Sequence, residues 1–391
     1  MITKITGGRV ILENGVCDKM NVYIKDEKIL AVTDENLAFD NVIDAKGQYV
    51  SPGFIEIHSH GAGGSDFLDG TVEAFLRASE KHAQHGVTTL IPTATSSEIE
   101  ATIEIQKIYE EACEKNVRGA DMPGLHLEGP YFAYGQRGAQ DPRYLRDPSP
   151  EEYEKILNSC KSILRWSVAP ELPGAVEMGK ALRKRGILPA IGHSDAEWDE
   201  VKNAYDAGFT HVTHLYSGMS TVHRKNAYRY IGVVEAAYLI DDMTVEIIAD
   251  GKHLPAELLK FVYKFKGSDK IALITDSMRG AGMPDGESML GHFKNGLPCI
   301  IEEGVAKLPD RTAFAGSVAT FDRLVRNMIN MAEVPVHEAI KMATKTPAKI
   351  MNFTDRGTLT PGLRADIIMF NDNIDVSFVM VGGKEIFNKG R

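Results

Sequence analysis

Histidines and acidic residues follow short apolar runs at several places along the chain. His58 and His60 are two residues apart, so on a β-strand both side chains lie on one face and can hold the same cation. Imidazole nitrogens and carboxylate oxygens are the donors that zinc and similar divalent ions prefer. These residues predict a metal centre that activates water for hydrolysis. The remaining members of the set are Glu128, His193, His214 and Asp276.

The two acidic members have different expected roles. Glu128 supplies a carboxylate that can bridge two ions. A buried carboxylate without a cation or hydrogen-bond donors is energetically costly, so a bound metal is the better explanation for Glu128. Asp276 is the candidate base for water whose pKa the ion lowers, although it could instead cap the helix that follows it. We therefore expect one or two divalent ions, zinc first and iron, manganese or cobalt as alternatives, held by His58, His60, Glu128, His193 and His214.

Other histidines among the twelve in the chain have different expected places. His82 and His85 lie in a helical stretch, which favours the surface. Strand alternation points His211 away from the rim where the ligands would meet. His126 is expected as a hydrogen-bonded histidine of the core, one layer below the ligands.

The middle of the chain must position these residues, and its pattern predicts how. Eight apolar, β-rich runs alternate with amphipathic helical stretches, which indicates a parallel sheet, and eight strands close a (β/α)₈ barrel. In such barrels the site forms at the carboxyl ends of the strands, so residues distant in sequence converge. The runs are 54–57, 88–92, 124–127, 166–168, 187–191, 211–215, 245–249 and 271–274.

Both ends of the chain have a different pattern, with short β-prone runs joined by tight turns. We predict a small β-sandwich domain composed of residues 1–50 and 351–391, beside a barrel of residues 51–350. A glycine-rich stretch at 279–311 predicts a hairpin inserted into the barrel.

The amino-acid composition of the chain argues against some classes of binding partner. A formal net charge of −10 over 391 residues argues against nucleic acid or an anionic membrane surface, but not against a small anionic substrate. The sequence lacks a signal-peptide pattern and a run long enough to span a bilayer. Four dispersed cysteines suggest reduced thiols. These three observations together favour a cytoplasmic enzyme. The dispersed cysteines are Cys17, Cys113, Cys160 and Cys299.

With these motifs in place, nearly the whole chain resembles the amidohydrolase superfamily and, within it, the N-acetylglucosamine-6-phosphate deacetylase family. HLEGP at 126–130 is the most diagnostic segment, because many other amidohydrolases have a modified lysine where this family has glutamate. The resemblance also rests on HSHGAGG at 58–64, GHS at 192–194, THLY at 213–216, ADGKH at 249–253, TD at 275–276, FAGS at 314–317 and PGLRAD at 361–366.

The resemblance implies removal of the N-acetyl group from an amino-sugar phosphate, with Asp276 taking a proton from the attacking water and giving it to the leaving nitrogen. It implies that Glu128, His193 and His214 hold the principal ion and that the paired histidines hold a second. It also implies a homodimer. Substrate contacts are expected from Ala139, Gln140, Ser217, Gly218, Arg224, Lys225, His253, Ala315 and Gly316.

The sequence departs from the family at substrate positions rather than at the ligands. Gln140 replaces a usual histidine and can donate a hydrogen bond but not a positive charge. Ser217 and Gly218 replace Asn-Ala, and either Arg224 or Lys225 is the expected phosphate cation. An alternative is therefore deacylation of an unphosphorylated amino sugar or of another N-acyl or cyclic amide. A non-catalytic binding protein is the alternative from another class, and retention of Asp276 argues against it.

Overall fold

The structure is a computed structural model that describes residues 1–159 and 161–390. Eight parallel strands form one sheet in which each strand pairs with the next along the chain, and this confirms the predicted fold class. The barrel strands are β1 (Phe54–Ser59), β2 (Val87–Thr95), β3 (Leu125–Glu128), β4 (Ile163–Val168), β5 (Leu188–Ile191), β6 (His211–Val212), β7 (Thr244–Ile248) and β8 (Ile271–Ile274).

The sheet closes where β1 meets the segment that follows β8. The Asp276 amide donates to the His58 carbonyl at 2.9 Å, and the His60 amide donates to the Ser277 carbonyl at 2.8 Å. These bonds join the first and last strands at the carboxyl-end rim. The closure therefore brings His58, His60 and Asp276 together.

One helix follows each barrel strand, and its apolar face packs on the sheet. In the first helix, Phe75 and Ala78 are buried while the Thr71 hydroxyl accepts a bond from the Ala74 amide at 3.2 Å and caps the N-terminus. The helices are α1 (Val72–Gln84), α2 (Ile99–Lys115), α3 (Pro150–Ser159), α4 (Ala175–Lys184), α5 (Trp198–Asp206), α6 (Val233–Leu239), α7 (Ala256–Lys266), α8 (Phe321–Asn330), α9 (Val336–Ala343) and α10 (Lys345–Ile350).

Strands from both ends of the chain share a second β region. A six-stranded sheet has the order Lys384–Asn388, Val376–Val381, Ile367–Phe370, Tyr49–Pro52, Arg9–Leu12 and Gly15–Cys17. A four-stranded sheet has the order Lys28–Thr33, Asn21–Lys25, Ile2–Thr6 and Asn41–Asp44. Apolar residues of both sheets, including Ile5, Val22, Val50 and Phe378, form a separate buried cluster.

Residues 279–311, predicted as a hairpin, contain a three-stranded antiparallel sheet instead. An additional strand forms because the turn after Glu302 returns the chain along its neighbour. Arg279 ties the segment to the barrel through Asp69, with Nη2 and Oδ1 2.8 Å apart. The strands are Gly286–Leu290, Leu297–Glu302 and Val305–Lys307.

Smaller elements complete the described part of the chain. They are the strand pairs Gly61–Ala62 with Ser65–Asp66 and His223–Lys225 with Tyr228–Tyr230, and the 3₁₀ turns Phe67–Asp69 and Tyr134–Gln136. Cys17, Cys113 and Cys299 are free thiols, and Cys160 lies outside the described residues. Within the described ranges, no helix has both the length and the apolar character needed to cross a membrane.

Candidate active site

The six residues of the predicted metal centre meet at the carboxyl-end rim of the barrel. His58 lies in β1, His60 follows that strand, and Glu128 is the last residue of β3. The other members each lie two residues past their strand, and all six side chains are buried. These later members are His193 after β5, His214 after β6 and Asp276 after β8.

The backbone turns sharply where the last three residues leave their strands. His193, His214 and Asp276 have φ values of 47°, 28° and 47°. A left-handed backbone costs a residue with a side chain on the order of 1–3 kcal/mol and is concentrated at functional sites. These three turns place the side chains over the barrel mouth.

Glu128 lies at the centre of the histidines. Its Oε1 is 3.3 Å from His58 Nε2, 3.1 Å from His214 Nε2 and 3.4 Å from His193 Nε2. Its Oε2 is 3.4 Å from His60 Nε2. Glu128 therefore belongs to two three-residue groups, one with His58 and His60 and one with His193 and His214, whose donor atoms lie within 4.8 Å of one another.

The donor set fits a divalent cation. His58 Nε2 is fully buried and makes no hydrogen bond within the part of the chain that the structure describes. A buried imidazole nitrogen without a partner is costly, and coordination to an ion would satisfy it. Nitrogen donors combined with one shared carboxylate suit zinc and its first-row neighbours rather than calcium or magnesium.

Asp276 lies against the paired histidines rather than turned into a helix cap. Its Oδ1 is 3.1 Å from His60 Nε2 and 3.5 Å from His58 Nε2. The next helix begins far along the chain, at Phe321, so the capping alternative does not apply. Asp276 therefore lies beside the donor atoms that would bind an ion.

A buried ion pair inside the barrel fixes the orientation of His58. Glu246, in β7, accepts from His58 Nδ1 at 2.7 Å and from the His214 amide at 3.1 Å. Arg165, in β4, holds both carboxylate oxygens of Glu246 at 2.5 and 2.9 Å. Because Glu246 occupies Nδ1, the Nε2 atom of His58 faces the cluster, where it can bind an ion once its proton is lost.

A second buried carboxylate joins β1 to β8 directly below the rim. Glu56 accepts from the His58 amide at 3.0 Å and from the Thr275 amide at 2.9 Å. Burial raises the pKa of Glu56 to about 8, although these hydrogen bonds oppose the rise. Glu56 thus fixes the backbone on both sides of the strand closure.

The electrostatics of the metal-free cluster are dominated by its neighbouring charges. Burial disfavours protonated His58, but the carboxylates of Glu246, Glu128 and Asp276 outweigh burial and raise its pKa to about 9. Burial likewise favours neutral Glu128, yet the surrounding histidines hold its pKa well below the usual range. Neighbouring carboxylates also raise the pKa of His60 against the effect of burial, so without an ion His58 and His60 retain protons that balance the carboxylates.

A cavity of about 240 Å³ opens above the cluster. It is lined by six of the nine predicted substrate residues, together with all of the metal-centre residues except His58. Ala315 does not line it, because its side chain packs among Met278, Cys299 and Ile301. The six are Ala139, Gln140, Ser217, Gly218, His253 and Gly316.

Gln140 is bonded to the cluster in this structure. Its Nε2 donates to Glu128 Oε2 at 2.7 Å, while its Oε1 accepts from the Thr95 hydroxyl at 2.6 Å. The amide thereby orients the shared carboxylate. This contact was not anticipated from the sequence, which suggested contact with substrate.

Gly218 allows a close approach to His193. Its φ is 56°, and a Cβ there would lie 2.8 Å from both His193 Nδ1 and the Gln136 carbonyl oxygen. Those two atoms are themselves bonded at 2.8 Å, which fixes the His193 ring. Local packing and the backbone conformation therefore require a glycine at position 218.

Arg224 and Lys225 do not reach the cavity of their own chain. Both are exposed on the hairpin His223–Lys225 with Tyr228–Tyr230, and Lys225 Nζ pairs with Glu197 at 3.1 Å. None of the residues that line the cavity is a lysine or an arginine. Within residues 1–159 and 161–390, therefore, no lysine or arginine of this chain lines the cavity to meet a phosphate.

Among the predictions for the other histidines, the surface position of His82 is wrong. His82 is buried rather than at the surface, because its Nε2 bonds the Ser59 hydroxyl at 2.8 Å beneath β1. His85 is half-buried and pairs with Asp322 at 3.2 Å. His126 is a hydrogen-bonded core residue as predicted. His211 stays out of the ligand groups, bonded to Thr244 Oγ1 at 2.8 Å and Glu246 Oε2 at 3.3 Å.

Several residues of the site were missed from the sequence. Glu246 and Arg165 interrupt apolar strands, and a charged residue in a buried strand was the available signal. Leu290 comes from the inserted segment, and Ala313 and Phe314 follow that segment directly; the sequence did not indicate that these three residues line the cavity.

Comparison with known proteins decides the family. The model of the amidohydrolase family matches residues 49–386. This chain belongs to the amidohydrolase family. The amidohydrolase is also 30% identical over 367 residues to N-acetylglucosamine-6-phosphate deacetylase of Lysinibacillus sphaericus, covering 93% of this chain and 92% of the relative.

Other relatives of this amidohydrolase extend the comparison. N-acetylgalactosamine-6-phosphate deacetylase of Escherichia coli O157:H7 is 30% identical over 379 residues, covering 96% of this chain and 97% of the relative. A mutant of the N-acetyl-D-glucosamine-6-phosphate deacetylase of Mycobacterium smegmatis, solved with N-acetyl-D-glucosamine-6-phosphate, superposes with a TM-score of 0.90 at 27% identity, covering 99% of each chain. The resemblance drawn from the motifs is thus confirmed.

Proposed function

We propose that this amidohydrolase hydrolyses the N-acetyl group of N-acetylglucosamine 6-phosphate or a close relative such as its galactosamine epimer. The relatives named above act on these two sugar phosphates according to their names, which supports the substrate class. The observation that carries the proposal is the position of Asp276, whose Oδ1 lies 3.1 Å from His60 Nε2 beside Glu128.

In the proposed reaction, His58, His60, Glu128, His193 and His214 would hold one or two divalent ions. When bound, such an ion lowers the pKa of water and polarises the amide carbonyl. Asp276 accepts the proton of the attacking water as oxygen adds to the carbonyl carbon. It then returns that proton to the nitrogen as the C–N bond breaks, so the products are acetate and the free amino sugar.

We propose zinc as the ion, supported by the nitrogen-rich donor set. Two ions are supported by the two donor groups that share Glu128. Metal analysis of the purified protein tests the identity and the number together. If the parent protein binds two equivalents of metal and the double variant His58→Ala, His60→Ala binds one, the result would support a two-ion centre.

We also propose that the protein works as a homodimer in which Arg224 or Lys225 of one subunit meets the phosphate in the other. The support is their exposure on a hairpin and the lack of a lysine or arginine in the cavity lining. Light scattering checks the assembly. Arg224→Ala should raise the KM for the phosphorylated sugar, whereas Arg118→Ala, at an exposed arginine that does not line the cavity, should not.

The same lack of a lining cation favours a second candidate substrate, an unphosphorylated N-acyl amino sugar. Turnover of N-acetylglucosamine with and without the 6-phosphate separates the two candidates. A preference of more than about tenfold for the phosphate supports the first. Equal turnover supports the second, and no acetate above a metal-stripped control from either sugar contradicts both.

The reduced state of the described cysteines supports a cytoplasmic location, which we include in the proposal. Fractionation of cells that produce the protein would check it.

A further inference from the structure

A second and larger cavity adjoins the one above the metal centre. Its volume is about 370 Å³, compared with about 240 Å³ for the cavity that contains Asp276. Thr95, Ala139 and Leu290 line both cavities. The two spaces are therefore neighbours that share one wall of three residues.

The lining of the second cavity is suited to a neutral, apolar group. Its aliphatic side chains come from α2, the Phe67–Asp69 turn and the inserted segment. No lysine or arginine lines it. Three of its four carboxylates are paired with cations, Asp69 with Arg279, Asp141 with Arg143 and Glu104 with Lys107, and the fourth, Glu98, is exposed to solvent. The aliphatic residues are Leu68, Ala101, Ile105, Ile108, Leu290 and Leu297.

The second cavity lies on the side of the metal centre toward which the acyl end of the proposed substrate would point. The residues expected to contact the sugar, Ser217, Gly218 and His253, follow β6 and β7. Of the shared residues, Thr95 ends β2, Ala139 follows β3 and Leu290 belongs to the inserted segment, so the wall lies across the mouth from β6 and β7. An amide held over Glu128 with its sugar toward His253 therefore directs its acyl carbon chain toward Thr95, Ala139 and Leu290.

We propose that the second cavity is an acyl-chain site, so that this enzyme hydrolyses amino sugars whose N-acyl group is longer than acetyl. This inference rests on the proposed function, because it extends the same amide substrate. The reaction is unchanged: water adds to the carbonyl carbon, the C–N bond breaks, and the products are a fatty acid and the free amine.

Turnover of N-acetyl-, N-butyryl- and N-hexanoyl-glucosamine 6-phosphate tests the proposal. A fully buried methylene favours binding by about fourfold. We expect kcat/KM to be at least about tenfold higher for hexanoyl than for acetyl, because the chain is only partly enclosed. A ratio at or below one would overturn the proposal.

A variant that fills the cavity provides the specific test. Ala101 is exposed on α2, so Ala101→Phe adds a ring to the cavity without disturbing the core. We expect the hexanoyl-to-acetyl ratio to fall about tenfold. Glu110→Phe, an exposed change on the same helix outside both cavities, should leave the ratio unchanged. Equal ratios in the two variants would contradict the proposal.

Binding of the acid products separates this proposal from the choice of sugar. Calorimetry on the zinc-loaded protein should show that hexanoate binds at least about tenfold more tightly than acetate, and Ala101→Phe should remove the difference. If no sugar phosphate is hydrolysed but this preference holds, the proposed function fails and the acyl-chain site stands. If Ala101→Phe instead impairs only sugars with a bulky substituent at C1, the cavity serves that substituent and the proposal fails.

Discussion

The two sides of the active-site cavity are built in different ways. On the metal side, each histidine is buried, and the ring of His58 is fixed by a residue of another strand, Glu246, at 2.7 Å. On the substrate side, the wall consists of loops and the inserted segment, including Ala139, Leu290 and Phe314. Changes on the metal side break networks that cross the barrel, whereas changes on the substrate side alter only a local wall.

The sharpest test of the metal side is Asp276→Asn. The amide keeps the shape but cannot accept the proton from water, so we expect kcat to fall by about 10²–10⁴-fold. Bound metal, measured by elemental analysis, should match the parent protein within error. Full activity in this variant would show that another group moves the proton.

The network below the ligands should have the next largest effect. Glu246→Gln removes the charge that pairs with Arg165 and holds His58 Nδ1. We expect the dissociation constant of zinc, measured by competition with a chelator, to rise by about 10–100-fold. Glu235→Gln, at a half-buried glutamate on α6 outside the cluster, serves as the control. If zinc binding is as tight as in the parent, Glu246 does not position His58.

Zinc binding should also depend on pH through His58. Its pKa is raised to about 9 in the metal-free protein, so below that pH an ion must displace a proton. Below about pH 9 the affinity should rise about tenfold per pH unit for each displaced proton. Conversely, the stability that protonated His58 gives the metal-free protein is fully present below its unfolded pKa and is lost as the pH rises through about 9. A flat profile between about pH 7 and 9 would contradict this assignment.

The substrate side should give the smallest change. His253 lines the cavity, and Asp250 accepts from its Nδ1 at 2.8 Å. If His253 contacts the sugar as proposed, His253→Ala removes one hydrogen bond to it, and we expect KM to rise by about two- to tenfold with little change in bound zinc. A loss of zinc in this variant would mean that the two sides are not independent.

The sequence was sufficient to predict the barrel and the convergence of the metal ligands. Both follow from local periodicity and from the rule that the carboxyl ends of the barrel strands meet at one rim. It was not sufficient for contacts between distant strands. The pairing of Glu246 with Arg165 and the burial of His82 against Ser59 depend on packing that no local pattern encodes. The bond from Gln140 to Glu128 is a similar case, since a loop side chain finds its partner only after folding.

The six-stranded sheet has a consequence for biosynthesis. Tyr49–Pro52 pairs with Ile367–Phe370, and the Gly53 amide donates to the Asp366 carbonyl at 2.9 Å, just before the strand that carries His58. Ile367–Phe370 is synthesised only after all eight barrel strands. Until then the nascent chain can pair Tyr49–Pro52 only with Arg9–Leu12, and a protein truncated before Ile367 would leave the other edge of this strand unpaired.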